Sequence, residues 1–101
     1  MSETKQETIG QIYELLAIVR LNVLQKPAQD LIKKLVEDAG GKVNEVDFWG
    51  KRELTYMIDR EESANYVFFG IELPKEKVAS LKKEFQREKD ILRVMLTKVE
   101  E

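Results

Sequence analysis

Apolar and polar positions follow two periods along the chain, and together these predict four strands and two helices. The apolar run Ile12–Arg20 is rich in strand formers and short for a helix, so we expect the first strand there. Segments 42–58, 66–73 and 91–99 also have strand composition. Because Gly50 interrupts the alternation in 42–58, that segment is predicted to be one long strand with a bulge or bend near the glycine.

Two further segments carry apolar residues at the three- and four-residue spacing of one helical face. The first has Pro27 in a position suited to an opening turn, and it ends at Gly40 and Gly41, where a left-handed residue can stop a helix. The second opens at Pro74. The polar residues 59–65 are predicted to turn the chain between the second and third strands. The helical stripes consist of Ala28, Leu31, Ile32, Leu35, Val36 and Ala39, and of Val78, Leu81 and Phe85.

The element order β-α-β-β-α-β predicts an α+β fold of the ferredoxin-like type, a four-stranded antiparallel sheet with both helices on one face. We expect a single domain over residues 12–99, preceded by a flexible extension over residues 1–11. The helix-free face of such a sheet is partly apolar, which is typical of a contact surface for a partner protein. A homodimer, or central strands that are merely apolar on both sides, would give the same pattern. The residues expected to meet a partner are Leu16, Ile18, Tyr66 and Phe68.

The composition excludes most catalytic and metal-dependent classes. Of the 101 residues 43% are hydrophobic and 36% charged, as in a folded protein with a charged surface, and the chain has no cysteine and no histidine. It also lacks phosphate-loop, nucleotide-binding and zinc-binding spacings. We therefore expect no enzyme, cofactor, metal or small-molecule substrate. Because no apolar run could span a bilayer and no secretory signal is visible, we expect a cytoplasmic protein without membrane contact.

The charge distribution limits how the chain could bind RNA. A net charge of −2 argues against binding through overall charge, so any RNA contact must be local. The segment 82–98 is the best basic patch in the sequence. Tyr66 and Phe68 could also stack bases, as in an RNA recognition motif, although the basic residue and glycine expected before them are missing. A low-specificity single-stranded RNA binder is thus an alternative.

One stretch of the predicted second strand, DFWGKRELTYMI, is more specific than the rest of the sequence. With YE at Tyr13 and Glu14 and REKDILRVMLTK near the end, it resembles the bacterial ribosomal small-subunit protein six family. The second strand of that family typically reads D-x-W-G-[KR]-[KR]-x-L-A-Y-x-I. Thr55 replaces the usual alanine here, Met57 a frequent proline and Asn65 a frequent glycine. The matching residues are Asp47, Trp49, Gly50, Lys51, Arg52, Leu54, Tyr56 and Ile58.

The resemblance implies a structural, non-catalytic protein of the small ribosomal subunit. Such a protein would bind the central domain of small-subunit ribosomal RNA together with the eighteenth protein of that subunit. We expect the bend at Gly50 to aim cations toward the RNA, with Trp49 and Tyr56 as supporting surface or as packed residues. The main rival is a ligand-sensing or dimerisation module of the same fold that binds no RNA. The predicted RNA contacts are Lys51, Arg52, Arg87, Arg93, Tyr56 and Trp49.

Overall fold

The computed structural model describes residues 10–99, and within them the predicted ferredoxin-like architecture is confirmed. The elements are β1 (Gln11–Val19), α1 (Gln25–Asp38), β2 (Lys42–Ile58), β3 (Glu61–Leu73), a 3-10 turn (Lys75–Lys77), α2 (Val78–Arg87) and β4 (Ile91–Lys98). The sheet is antiparallel, with strand order β2-β3-β1-β4. Gln11, the last residue of the expected extension, pairs with Leu73 and belongs to β1. Residues 1–9 of that extension lie outside the described part.

The first helix ends where the glycine pair predicts. Gly40 has φ +87° and donates its N–H to the carbonyl of Glu37, and Gly41 donates to the carbonyl of Val36, both at 2.9 Å. These bonds satisfy carbonyls that have no partner within the helix. An added Cβ on Gly41 would lie 2.6 Å from the carbonyl oxygen of Glu72, so the chain can leave α1 this close to β3 only with glycine there.

The core lies between the helices and one face of the sheet. Alternate residues of β1 and β3 face the helices, with Leu15 beside Phe69 and Ala17 beside Val67 in the register. Helix α1 contacts β2 and β3, α2 contacts β4, and the helices contact each other. Burying each large apolar side chain contributes about 1.5–3 kcal/mol, which makes this layer the main source of stability. The largest fully buried side chains are Leu15, Val19, Ile32, Val36, Val67, Phe69, Ile71, Leu73 and Leu81.

The predicted turn over residues 59–65 is wrong, because β3 begins at Glu61 and the turn consists of Asp59 and Arg60 alone. The polar composition of 61–65 suggested a loop, but Lys51 pairs with Asn65 and extends the ladder. Tertiary contacts explain the difference: Ala64 is fully buried, and the Asn65 amide donates to the carbonyl of Val23 at 3.2 Å. Pairing and burial override the local preference of these residues.

The predicted irregularity near Gly50 is present, but it is one of three along β2. The register with β3 shifts by one residue between Val43 and Glu45 and by one between Phe48 and Gly50. The third shift is larger, because Glu53 pairs with Ser63 and the next pair is Ile58 with Glu61. Four residues, 54–57, therefore lie opposite one residue of β3, and we call this segment the arch.

Arg20 ties the tip of the β2–β3 hairpin to the rest of the fold. Its guanidinium donates to carboxylate oxygens of Asp59 and Glu61, and to the carbonyl of Lys89 at 2.7 Å. The hydrogen bond to Asp59, with the charges of both carboxylates, raises the pKa of Arg20 above its ordinary value. One side chain thus joins the end of β1, the hairpin turn and the α2–β4 loop.

Candidate functional site on the open sheet face

The sheet surface not covered by the helices, called the open face here, brings together the four residues predicted to meet a partner. In the register Leu16 lies beside Phe68 and Ile18 lies beside Tyr66. Leu16, Tyr66 and Phe68 are half-buried and accessible, but Ile18 is only 3% exposed and lies beneath other side chains. A partner on this face would therefore reach three of the four predicted residues directly.

Trp49 is the extra residue of the second bulge, and its ring lies over the open face. The indole is parallel to the ring of Phe68, with 5.9 Å between the ring centroids, and its Nε1 donates to a carboxylate oxygen of Asp47 at 3.1 Å. The guanidinium carbon of Arg52 lies 5.6 Å from the indole centroid. Trp49 is nevertheless 42% exposed. It therefore packs within the surface layer and also forms part of the accessible surface.

The two adjacent cations of β2 project from opposite faces of the strand. Arg52 pairs with Ala64, which alternates with Tyr66 and Phe68, so Arg52 belongs to the open face. Lys51 pairs with Asn65 and belongs to the other face. Both are exposed. Of the two adjacent cations, Arg52 therefore lies on the open face, while Lys51 lies on the opposite face of the edge strand β2.

The two predicted arginine contacts from the end of the chain are likewise separated. Arg93 pairs with Ile18 across β1 and β4 and lies on the open face. Arg87 is in the last turn of α2, in the helical layer, where it bonds Glu84 at 3.3 Å. Of the predicted RNA-binding residues, Arg52, Arg93 and Trp49 thus lie together on the open face. Arg87 does not belong to that face.

The arch adds a surface that the sequence did not indicate. Tyr56 is 82% exposed and Met57 62% exposed, and the arch borders a groove of about 230 Å³ together with residues of β1, β3 and β4. The groove floor includes Ile18 and Tyr66, with Arg93 and Met95 on the far side. Met57 and Met95 were not predicted as site residues, because a strand pattern indicates the face that a methionine shares with its neighbours but not whether that face forms a groove.

Charge is distributed unevenly along the open face. Glu14 and Glu45 flank Gly70 in the register, at the end of the sheet opposite to Arg52 and Arg93. Asp47 and Glu72 belong to the same face and lie toward the acidic end. The open face therefore has a mainly acidic end, an apolar middle around Leu16, Phe68 and Met95, and a mainly cationic end. The acidic end also carries Lys42, the partner of Glu72, and the cationic end also carries Glu62, which alternates with Ala64.

Among residues 10–99, no group of three or more His, Cys, Asp or Glu side chains is arranged to hold a metal ion. No helix in this range is long and apolar enough to cross a membrane.

Fold and surface together define a ferredoxin-like α+β domain whose helix-free sheet face combines aromatic, apolar and charged side chains. The family model described as ribosomal protein S6 matches residues 12–98, nearly the whole described fold. The chain belongs to the ribosomal protein S6 family. The resemblance of its second strand to that family is thereby confirmed, and the matching relatives are named as ribosomal proteins, which agrees with the prediction that the chain is not an enzyme.

Individual relatives agree with this assignment. Small ribosomal subunit protein bS6 of Brucella anthropi is 33% identical over 93 residues, which are 89% of this chain and 62% of that protein. The bS6 protein of Caulobacter vibrioides is 32% identical over 92 residues, which are 88% of this chain and 73% of that protein. The chain thus spans less than two thirds of the length of the Brucella relative.

A solved structure shows the same fold. The crystal structure of 30S ribosomal protein S6 from Thermotoga maritima superimposes with a TM-score of 0.76 at 22% sequence identity. The match covers 88% of this chain and 87% of that chain.

Proposed function

We propose that this chain is a structural constituent of the small ribosomal subunit in the cytoplasm. There it binds the central domain of small-subunit ribosomal RNA together with the eighteenth protein of that subunit. The observation that carries the proposal is the division of the open face into acidic, apolar and cationic parts, in a chain that belongs to the ribosomal protein S6 family.

The acidic end and apolar middle suit a basic partner protein. Gly70 has no side chain, so the carboxylates of Glu14 and Glu45 on its two sides are accessible to a cation from above. Leu16 and Phe68 next to them supply apolar area that becomes buried in the complex. Opposite charges steer two proteins together and fix their orientation, while the apolar contact supplies most of the affinity.

The cationic end suits RNA phosphates. Arg52 and Arg93 lie there, Lys51 projects from the neighbouring edge, and Tyr56 and Trp49 offer aromatic surface. RNA affinity arises largely from the counterions that protein cations release from phosphates, so a chain with net charge −2 and few clustered cations binds RNA weakly alone. A basic partner at the acidic end removes this repulsion and adds cations of its own.

The RNA contact is tested by replacing Lys51 and Arg52 with alanine. The assay measures assembly of the chain and the eighteenth protein on the central-domain RNA fragment at several salt concentrations. The logarithm of the binding constant falls linearly with the logarithm of the salt concentration. Losing two phosphate contacts should make this slope less steep by about 1.4 to 1.8. The matched control replaces Lys26 and Lys33, two exposed lysines of α1. An unchanged affinity and slope in the Lys51 and Arg52 variant contradicts the RNA assignment.

The partner contact is tested by replacing Glu14 and Glu45 with glutamine, which keeps their shape and removes two charges. Binding to the eighteenth protein, measured by calorimetry without RNA, should weaken and lose part of its salt dependence. Replacing Glu37, an exposed residue of α1, with glutamine is the control. If the acidic variant binds as tightly as the unchanged chain, the partner does not use this end. A dimer of the isolated chain in sedimentation would favour the dimerisation module instead.

A further inference from the structure

The arch groove has a composition that phosphate binding does not explain. The groove is bordered by Tyr56 and Met57 of the arch, and by Tyr66, Arg93 and Met95 of the sheet. Tyr56 packs so little against the protein that most of its ring is accessible. An apolar floor, two tyrosines and two thioethers are suited to a flat, polarisable group, with one guanidinium available for a negative charge.

The size and the backbone of the groove point in the same direction. At about 230 Å³ it is smaller than the pockets that hold drug-sized ligands, so it accommodates one small planar group. Since the four residues of the arch lie opposite one residue of β3, they cannot all pair with that strand. Arch backbone groups that lack a partner in β3 can bond the edge of a planar ligand, and Thr55, which lines the groove, adds a hydroxyl.

We propose that the arch groove holds one unpaired nucleobase of the bound RNA, stacked on Tyr56, with Arg93 at the phosphate or ribose of the same nucleotide. This inference rests on the proposed function and adds to it a base contact beside the phosphate contacts. A base inside a duplex is stacked on both faces and paired along one edge, so it cannot enter such a groove. The site therefore selects unpaired nucleotides. Arg52 and Arg93 at this end repel a basic protein and attract a phosphate.

The chain provides its own reporters for a test. Two of its three methionines, Met57 and Met95, border the groove. With 13C-methyl-labelled methionine, an oligoribonucleotide of eight adenosines should shift both methyl signals in NMR spectra. A stable RNA duplex rich in G·C pairs, at equal phosphate concentration, should leave them nearly unshifted. Equal shifts from the single strand and the duplex would overturn the proposal.

Substitution of Tyr56 separates stacking from charge. Tyr56→Leu should weaken binding of the single strand by about 5- to 150-fold, the loss expected for one stacked base, whereas Tyr56→Phe should keep the affinity. Both changes leave the core intact because Tyr56 is so exposed. As the matched control, Lys51→Ala should weaken single strand and duplex equally.

Two results would reject the base site without touching the proposed function. One is unchanged single-strand affinity in Tyr56→Leu. The other is a shift of the Met57 and Met95 signals when the eighteenth protein is added without RNA, which would make the groove a protein contact. The RNA assignment as a whole is decided separately, by the salt slope of the Lys51 and Arg52 variant on the ribosomal RNA fragment.

Discussion

The indole of Trp49 lies parallel to the phenyl ring of Phe68, with 5.9 Å between their centroids. The two residues belong to neighbouring strands, and Trp49 reaches Phe68 because the bulge before Gly50 places it as an extra residue between two ladder pairs. Arg52 lies over the same indole at 5.6 Å. Trp49 thus links a cation proposed to meet RNA with an aromatic ring proposed to meet the partner protein.

The stacked pair predicts a measurable coupling in stability. In a double-mutant cycle of Trp49→Ala and Phe68→Ala, we expect a coupling free energy of about 0.5–1.5 kcal/mol, the usual contribution of an aromatic pair beyond area burial. Urea unfolding followed by far-UV circular dichroism measures it, because the variants lose the tryptophan signal. Pairing Trp49→Ala with Val94→Ala on β4 is the control and should be additive within about 0.5 kcal/mol. A coupling between Trp49 and Phe68 no larger than this control would contradict the structural role of the stack.

Gly50 is required for its backbone conformation and not for lack of space. Its φ is +87°, and an added Cβ would meet only the ring of Phe48, at 3.8 Å. Gly50→Ala should therefore lower the free energy of unfolding by about 1–2 kcal/mol through backbone strain. Gly50→Asn should cost less, since asparagine tolerates this region better. Chemical denaturation checks both, and an alanine variant as stable as the unchanged chain would show that the bend does not depend on glycine.

The hairpin turn contains avoidable strain. Asp59 and Arg60 have φ values of +50° and +69°, the region in which a two-residue hairpin turn favours glycine at its second position. Arg60→Gly should raise the free energy of unfolding by about 0.5–1 kcal/mol. Arg60→Ala removes the same charge but keeps the strain, so it should not stabilise. If the alanine variant gains as much as the glycine variant in thermal unfolding, charge and not backbone strain is responsible.

Arg20 should matter more for the hairpin than an exposed arginine with a similar ion pair. Arg20→Gln breaks bonds to Asp59, Glu61 and the carbonyl of Lys89 at once, so the midpoint of urea unfolding should fall. Hydrogen exchange at residues 59–61 should become faster. Arg87→Gln removes a single exposed pair with Glu84 and should change stability by less than about 1 kcal/mol. Equal midpoints for the two variants would show that Arg20 does not hold the hairpin.

The order and type of the elements, the helix end at Gly40, the bend at Gly50 and the family could all be predicted from the amino-acid sequence. Each depends on signals within one element: the spacing of apolar residues, a glycine at a helix end, or a motif within one strand. The four predicted partner residues also share one face, as expected, because alternation along a strand fixes the face of each residue relative to its neighbours.

How these elements form a surface depends on strand pairing and layer packing, which the sequence pattern does not contain. The length of the β2–β3 hairpin, the arch and its groove depend on which residue of β3 lies opposite each residue of β2. The shift at the arch, unlike the one before Gly50, has no glycine to mark it in the sequence. Alternation alone separates the adjacent Lys51 and Arg52, but the bulge before Gly50 decides that Arg52 is the one on the open face. The layer of α2 removes Arg87 from that face. The low exposure of Ile18 on the open face depends on the same pairing, since its groove is lined by residues of β2, β3 and β4 that are distant from it in sequence.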